Sequence, residues 1–264
     1  MSTPTATRGG KTHYVSLQEI ENAGPDAMAE LSRNLKVYND LYVIQGFSDT
    51  ALIDDMKRYL HNIGTHSLPS YQPLEEGRPD FHRVVDNDER SYVKGIFHQY
   101  SFHPWNQNIF DLHNRFRKLY HIKNQTSNLD DAHYLYGPYT DFVPRIGFHH
   151  YPVGGGYLTT HADPVGEHQV AVPTLQMSQK GRDFTTGGLF YVDGLGNKQY
   201  VDDLSECGDV VLFNAETIHG VDPIDPDEPG TQWRDIRGRW MLLAAIVRTS
   251  SNVGAQDSVE VKNL

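Results

Sequence analysis

A mainly β fold with helices gathered in the N-terminal half is the class this sequence predicts, and three observations carry it. From about residue 134 the chain becomes short runs of β-branched and aromatic residues broken by glycine and proline, the texture of a sandwich or jelly roll. Before that point, apolar residues recur at helical spacing in several windows. The length, 264 residues, suits one sizeable domain with a substantial core.

Residues 1–13 are polar and expected to be mobile. Helical composition follows over 16–22 and 27–35, and Leu41-Tyr42-Val43-Ile44 reads as a strand. Ser48 or Asp49 is placed to cap a helix whose apolar positions are Leu52, Ile53, Met56, Leu60 and Ile63. Prolines at 69, 73 and 79 make 65–80 a loop. A helix is expected over 106–122, with Ile109, Leu112, Phe116 and Leu119 as its buried stripe. Strands are then expected over 145–151, 157–163, 170–177, 188–192, 209–213 and 239–247. The acidic, proline-rich stretch 222–237 reads as an insertion able to act as a mobile flap.

The net charge of -11 argues against a general nucleic-acid binder, and neither end carries a run of like charge. One cysteine, Cys207, has no internal disulfide partner, which suits a reducing compartment and a small strand-entry residue rather than a nucleophile. The N-terminus has no apolar signal-like region and no tract approaches eighteen apolar residues, so a soluble cytoplasmic protein without a membrane partner is expected. There is no internal repeat or low-complexity tract.

Chemistry enters at His161 and Asp163, two residues apart and so on one face of a strand. His219 follows the apolar run Val210-Val211-Leu212-Phe213. Two imidazoles and one carboxylate form the facial set that binds Fe(II) and leaves three coordination positions open. Among fourteen histidines and thirty-four acidic residues, an isolated H-x-D pair is a weak signal. Its surroundings strengthen it: a tight turn at Gly154, Gly155 and Gly156, a glycine pair at Gly187 and Gly188, and Gly208-Asp209 ahead of the strand preceding His219.

Together with Tyr151 and Gly238-Arg239, these segments resemble, over residues 140–249, the Fe(II)/2-oxoglutarate-dependent oxygenases and in particular their prolyl-hydroxylase-like branch. The resemblance implies a double-stranded β-helix, the cupin-like jelly roll, as one oxygenase domain. Residues 1–133 would form a helical flanking region, 134–249 the core and 250–264 a tail. It implies Fe(II) on His161, Asp163 and His219, with 2-oxoglutarate and O2 as cosubstrates giving succinate and CO2. Arg239 would hold the distal carboxylate of 2-oxoglutarate, since a guanidinium gives a planar two-point contact. Arg237 and Arg234 are rivals, because the insertion lengthens the interval after His219. Tyr151 matches a tyrosine that contacts 2-oxoglutarate, the alternative being a core aromatic; Gln176 falls where a polar residue faces the cosubstrate.

Of the pair His149-His150 only one can point inward, as a substrate contact or a core histidine. His168 reads as a loop residue. Retention of Asp163 favours hydroxylation over halogenation and leaves desaturation, epoxidation and ring closure open. Arg83, Arg90, His98, His103, Trp105, Tyr136 and Arg145 are available either to line a substrate pocket or to serve the structure. The leading expectation is oxidation of a free small molecule such as an amino acid or biosynthetic intermediate. A peptidyl-proline hydroxylase and a non-catalytic metal-binding cupin-like module are the alternatives. Oligomeric state stays open.

Overall fold

The computed structural model describes residues 7–248 apart from positions 71, 73, 90–92, 107, 134, 140 and 164–168, together with the backbone of 259–260. In chain order the elements are β1 (Thr12–Ser16), α1 (Leu17–Glu21), α2 (Pro25–Arg33), β2 (Leu41–Gln45), α3 (Thr50–His66), β3 (Phe81–Asp86) and β4 (Gly95–Phe102). Then come α4 (Leu112–Arg115), α5 (Arg117–Thr126), β5 (Phe142–Pro152), β6 (Gly156–Ala162), β7 (Ala171–Gln176), β8 (Gly188–Val192) and β9 (Lys198–Tyr200). The series closes with β10 (Val210–Asn214), β11 (His219–Ile224), β12 (Gly238–Arg248) and β13 (Val259–Glu260).

Strands β5 to β12 wind into two facing layers. One runs β10-β7-β12-β5 and the other β6-β11-β8-β9, with every neighbouring pair antiparallel. Successive strands cross between layers at six of the seven steps, every one except β8 to β9. That winding defines the double-stranded β-helix, so the jelly-roll expectation is met. Strand β4 ties the layers together, pairing with β5 along most of its length and with β6 through Gly95 and Ile96.

Two apolar clusters follow from strand alternation. Phe148, Ile146, Trp240 and Leu242 point outward and meet Leu35, Ile53, Met56, Leu60, Phe116 and Leu119 from the helices. Tyr151, Phe97, Val211, Phe213, Met241 and Val221 point inward, between the layers. The helices start where local chemistry allows: Ser16 and Glu19 form a reciprocal capping box ahead of α1, Pro25 opens α2, and Asp49 caps α3 by accepting from the Ala51 amide at 2.7 Å. No helix among the described residues is long and apolar enough to cross a membrane.

Four expectations are corrected. Residues 7–13 are not free: Thr12 and His13 join β1, parallel to β2, and His13 bonds Asp40 at 2.7 Å. The helix expected over 106–122 is broken, because Asn108 Oδ1 accepts from the amides of Phe110 and Leu112 and Asp111 sits at φ 49°. Ile109 is consequently 72% exposed instead of buried. Among the described residues the region before 134 supplies β1, β3 and β4 besides the expected β2, and β3 and β4 escaped notice because their buried positions include His82, His98, Gln99 and Ser101.

The fourth correction concerns 222–237, which begins inside β11 and is tied down elsewhere. Gln232 N–H donates to Val153 O at 3.0 Å, Thr231 Oγ1 to Gly154 O, and the Trp233 and Arg237 carbonyls meet the rings of His98 and His150 on the outer face. Register pairs Ile224 with Gly156 but His219 with His161. The segment therefore lies at the end of β6 opposite His161, too far away to cover it.

The buried pair His82 and His98, joined Nε2 to Nδ1 at 2.9 Å, carries a pH prediction. Burial lowers each from the usual histidine value to about 4. Between pH 6.5 and 4 the unfolded chain binds protons that the folded chain refuses, so stability is full above that window and falls as pH drops through it. Urea midpoints should decline from pH 7 to 4.5, and less steeply in His82→Phe. Identical slopes for the two proteins would refute the role of this pair.

Candidate active site

The β5–β6 hairpin turns through Gly154 at φ 83° and Gly155 at φ 105°, conformations that side chains resist, and this turn sets the register of β6. His161 then falls near the end of β6 and Asp163 one residue past it. Antiparallel pairing places His219, the first residue of β11, directly opposite His161. The intervening turn is built by Asn214, whose side chain accepts from the Glu216 amide and whose carbonyl accepts from Thr217. The same turn holds the ligand loop, since the Asp163 amide donates to Ala215 O at 2.8 Å.

The result brings together one ligand atom each from His161, Asp163 and His219 within 4.8 Å. Nε2 of His161 lies 3.6 Å from Asp163 Oδ1, and Nε2 of His219 lies 3.7 Å from Asp163 Oδ2. Each histidine directs Nδ1 at a backbone carbonyl two residues earlier, Thr159 O and Thr217 O, at 2.8 Å. Donation from Nδ1 leaves the Nε2 lone pair free and aimed at the shared centre. Burial and the neighbouring His219 hold the His161 imidazole below its ordinary pKa. Two imidazoles and a carboxylate form a donor set that suits Fe(II).

Arg239 opens β12 fully buried, directly across the ladder from Tyr151. Its Nε donates to both oxygens of Asp202 at 3.0 and 2.9 Å, and one Nη donates to Gln176 Oε1 at 2.6 Å. The other, Nη1, is buried without a partner among the described residues. An orphaned guanidinium N–H inside the protein is what a ligand carboxylate would satisfy. Tyr151 is buried and hydrogen-bonds His149 Nδ1 at 3.3 Å. The rivals lie on the surface: Arg234 is exposed, and Arg237 is paired with Asp235 and Glu228.

Asp202 was missed by sequence reasoning. It follows β9, accepts from the Leu189 amide at 2.6 Å and orients Arg239. Its approach explains Gly188, where an added Cβ would sit 2.5 Å from Asp202 Oδ2. No motif marks that contact.

Of the remaining candidates, His149 faces inward and His150 outward, stacked on Trp240 at 4.0 Å. His98 and His103 also lie away from the triad, His103 stacking on Trp105, and Tyr136 is exposed beside Arg117. Arg83 and Arg145 belong to the inner rows of β3 and β5. Arg90 and His168 lie outside the described residues.

The double-stranded β-helix is a fold this chain shares with solved structures. The chain is similar in structure to a Pseudomonas putida prolyl-4-hydroxylase, with a TM-score of 0.52 and 15% identity over 84% of this chain and 98% of that one. It is also similar to a Shewanella oneidensis protein assigned as an oxygenase, with a TM-score of 0.51 and 12% identity over 89% of each chain. At these identities the likeness establishes the fold. No family model matches the sequence, and no curated protein matches it.

Proposed function

We propose that this protein is an Fe(II)- and 2-oxoglutarate-dependent dioxygenase that hydroxylates, or otherwise oxidises, a C–H bond of a free small molecule. The observation that carries the reading is the convergence of His161, Asp163 and His219 with both Nε2 lone pairs turned to one point. Bound there, Fe(II) would supply O2 activation coupled to decarboxylation of 2-oxoglutarate, giving succinate and CO2.

The residues of the chain do the rest. Arg239, held by Asp202 and Gln176, presents Nη1 to the distal carboxylate of the cosubstrate. Tyr151 lies beside it in the ladder and offers its hydroxyl to the same molecule. Phe97, Phe213, Val221 and Met241 form apolar walls that exclude water from the reacting centre. Retention of Asp163 fills the coordination position that a halide would need, which supports oxygenation.

The test is anaerobic addition of Fe(II) and 2-oxoglutarate, followed by O2 and screens of metabolites and prolyl peptides. A visible charge-transfer band and succinate release coupled to a metabolite are expected. Coupling to a prolyl peptide alone would transfer the reading to a peptidyl-proline hydroxylase. Absence of the band would favour a non-catalytic metal-binding module.

A further inference from the structure

Arg145 is a half-buried cation on the inner face of β5, and a guanidinium N–H shut off from water is costly unless it is hydrogen-bonded. Its Nε is closed off from solvent without a partner, and its side chain makes no hydrogen bond or ion pair among the described residues. The guanidinium folds over Gly147, where an added Cβ would lie 3.7 Å from Nε. The same Cβ would lie 3.5 Å from Leu243 Cγ, so Gly147 lets Arg145 and Leu243 both approach the inner face of β5.

The surrounding groups add positive charge and donors. Arg83 on β3 donates to Gln99 on β4, which pairs with His149 on β5, so these three side chains form one cross-strand row. Repulsion from Arg83, added to burial, lowers the Arg145 pKa to about 10, and both arginines help hold His149 down to about 3. His149 Nε2 and Ser101 Oγ are buried without partners as well, and Ser101 is the ladder neighbour of Gly147. Two cations and three unmet polar atoms thus share one interior patch.

The patch is distinct from the site of Arg239. Six residues along β5 separate Arg145 from Tyr151, the partner of Arg239, a span of about 20 Å. One short diacid held at Arg239 does not also satisfy Arg145.

We infer that Arg145, supported by Arg83 and Ser101, binds a carboxylate of the substrate itself, so that the molecule oxidised is an organic acid. This rests on the oxygenase reading for the word substrate, but the subsite is testable apart from it. Binding of benzoate, hexanoate and 4-phenylbutanoate would be measured calorimetrically against their primary amides. The protein would be used both metal-free and loaded anaerobically with Fe(II) and 2-oxoglutarate.

At least one acid should bind tenfold or more tighter than its amide, and Arg145→Met should erase that difference. Arg145→Met should keep the charge-transfer band and should not melt far below the parent protein, because it removes a buried N–H that has no partner among the described residues. Arg83→Met should weaken the acid less. Acids binding no better than amides, or undiminished in Arg145→Met, would overturn the inference. A missing charge-transfer band in the parent protein would instead sink the oxygenase reading, while the comparison of acid with amide in the metal-free protein still decides the subsite.

Discussion

Replacing His219 by alanine is expected to remove Fe(II) binding and turnover together, and His161→Ala to do the same. Each change deletes one of the three proposed ligands and leaves its strand partner facing an incomplete set. Loss of an outer partner alone weakens metal sites by about 10–100-fold, so loss of a ligand should exceed about 100-fold. Equilibrium dialysis with Fe(II) under anaerobic conditions reads the affinity, and succinate release reads the activity. Full metal content in His219→Ala would show that His219 is not a ligand. The fold should survive, because β11 keeps its pairing with β8 through Gly220, Val221 and Asp222.

Arg239→Met is expected to act on stability and on cosubstrate affinity at once. Asp202, 6% exposed, would lose its cation and keep only the Leu189 amide. Stranding one member of a buried pair costs about 3–5 kcal/mol, and at ~2–4 °C per kcal/mol the melting temperature should fall by roughly 10 °C. Adding Asp202→Asn removes the stranded charge and should restore most of that loss. The double variant still lacks the donor to 2-oxoglutarate, so the affinity should remain down by about 1.5–3 kcal/mol, or ~10–150-fold. Arg237→Met, which breaks only surface pairs with Asp235 and Glu228, should change neither quantity appreciably. A cosubstrate affinity unmoved in the double variant and reduced in Arg237→Met would reassign the role.

Much of the architecture was legible because its signals are local. The strand run 188–192 appears as β8, 209–213 appears shifted by one residue as β10, and β5, β7 and β12 each fall within a few residues of expectation. Asp49 as the cap of α3 could be read from a few neighbouring residues. β3 and β4 were illegible for the opposite reason. Some of their buried polar residues pair with one another, as His82 does with His98, and a sequence pattern of apolar alternation cannot register a polar pair that meets only after folding.

The candidate site divides along the same line. The sequence by itself determined the order of the chemistry: an H-x-D step behind a glycine turn, a distal histidine after an apolar strand, and an arginine opening the last long strand. Spacing of a few residues decides strand face and turn geometry, so these features are written locally. Only the tertiary structure decided which arginine is buried, that Asp202 grips it across 37 positions of chain, that 222–237 packs at the far end of the barrel, and that Arg145 has no counter-charge among the described residues. Those outcomes depend on cross-strand register and on which charges lose water together. Both are set only when distant segments pair, because desolvation makes an unpaired guanidinium costly inside the barrel and nearly costless at the surface.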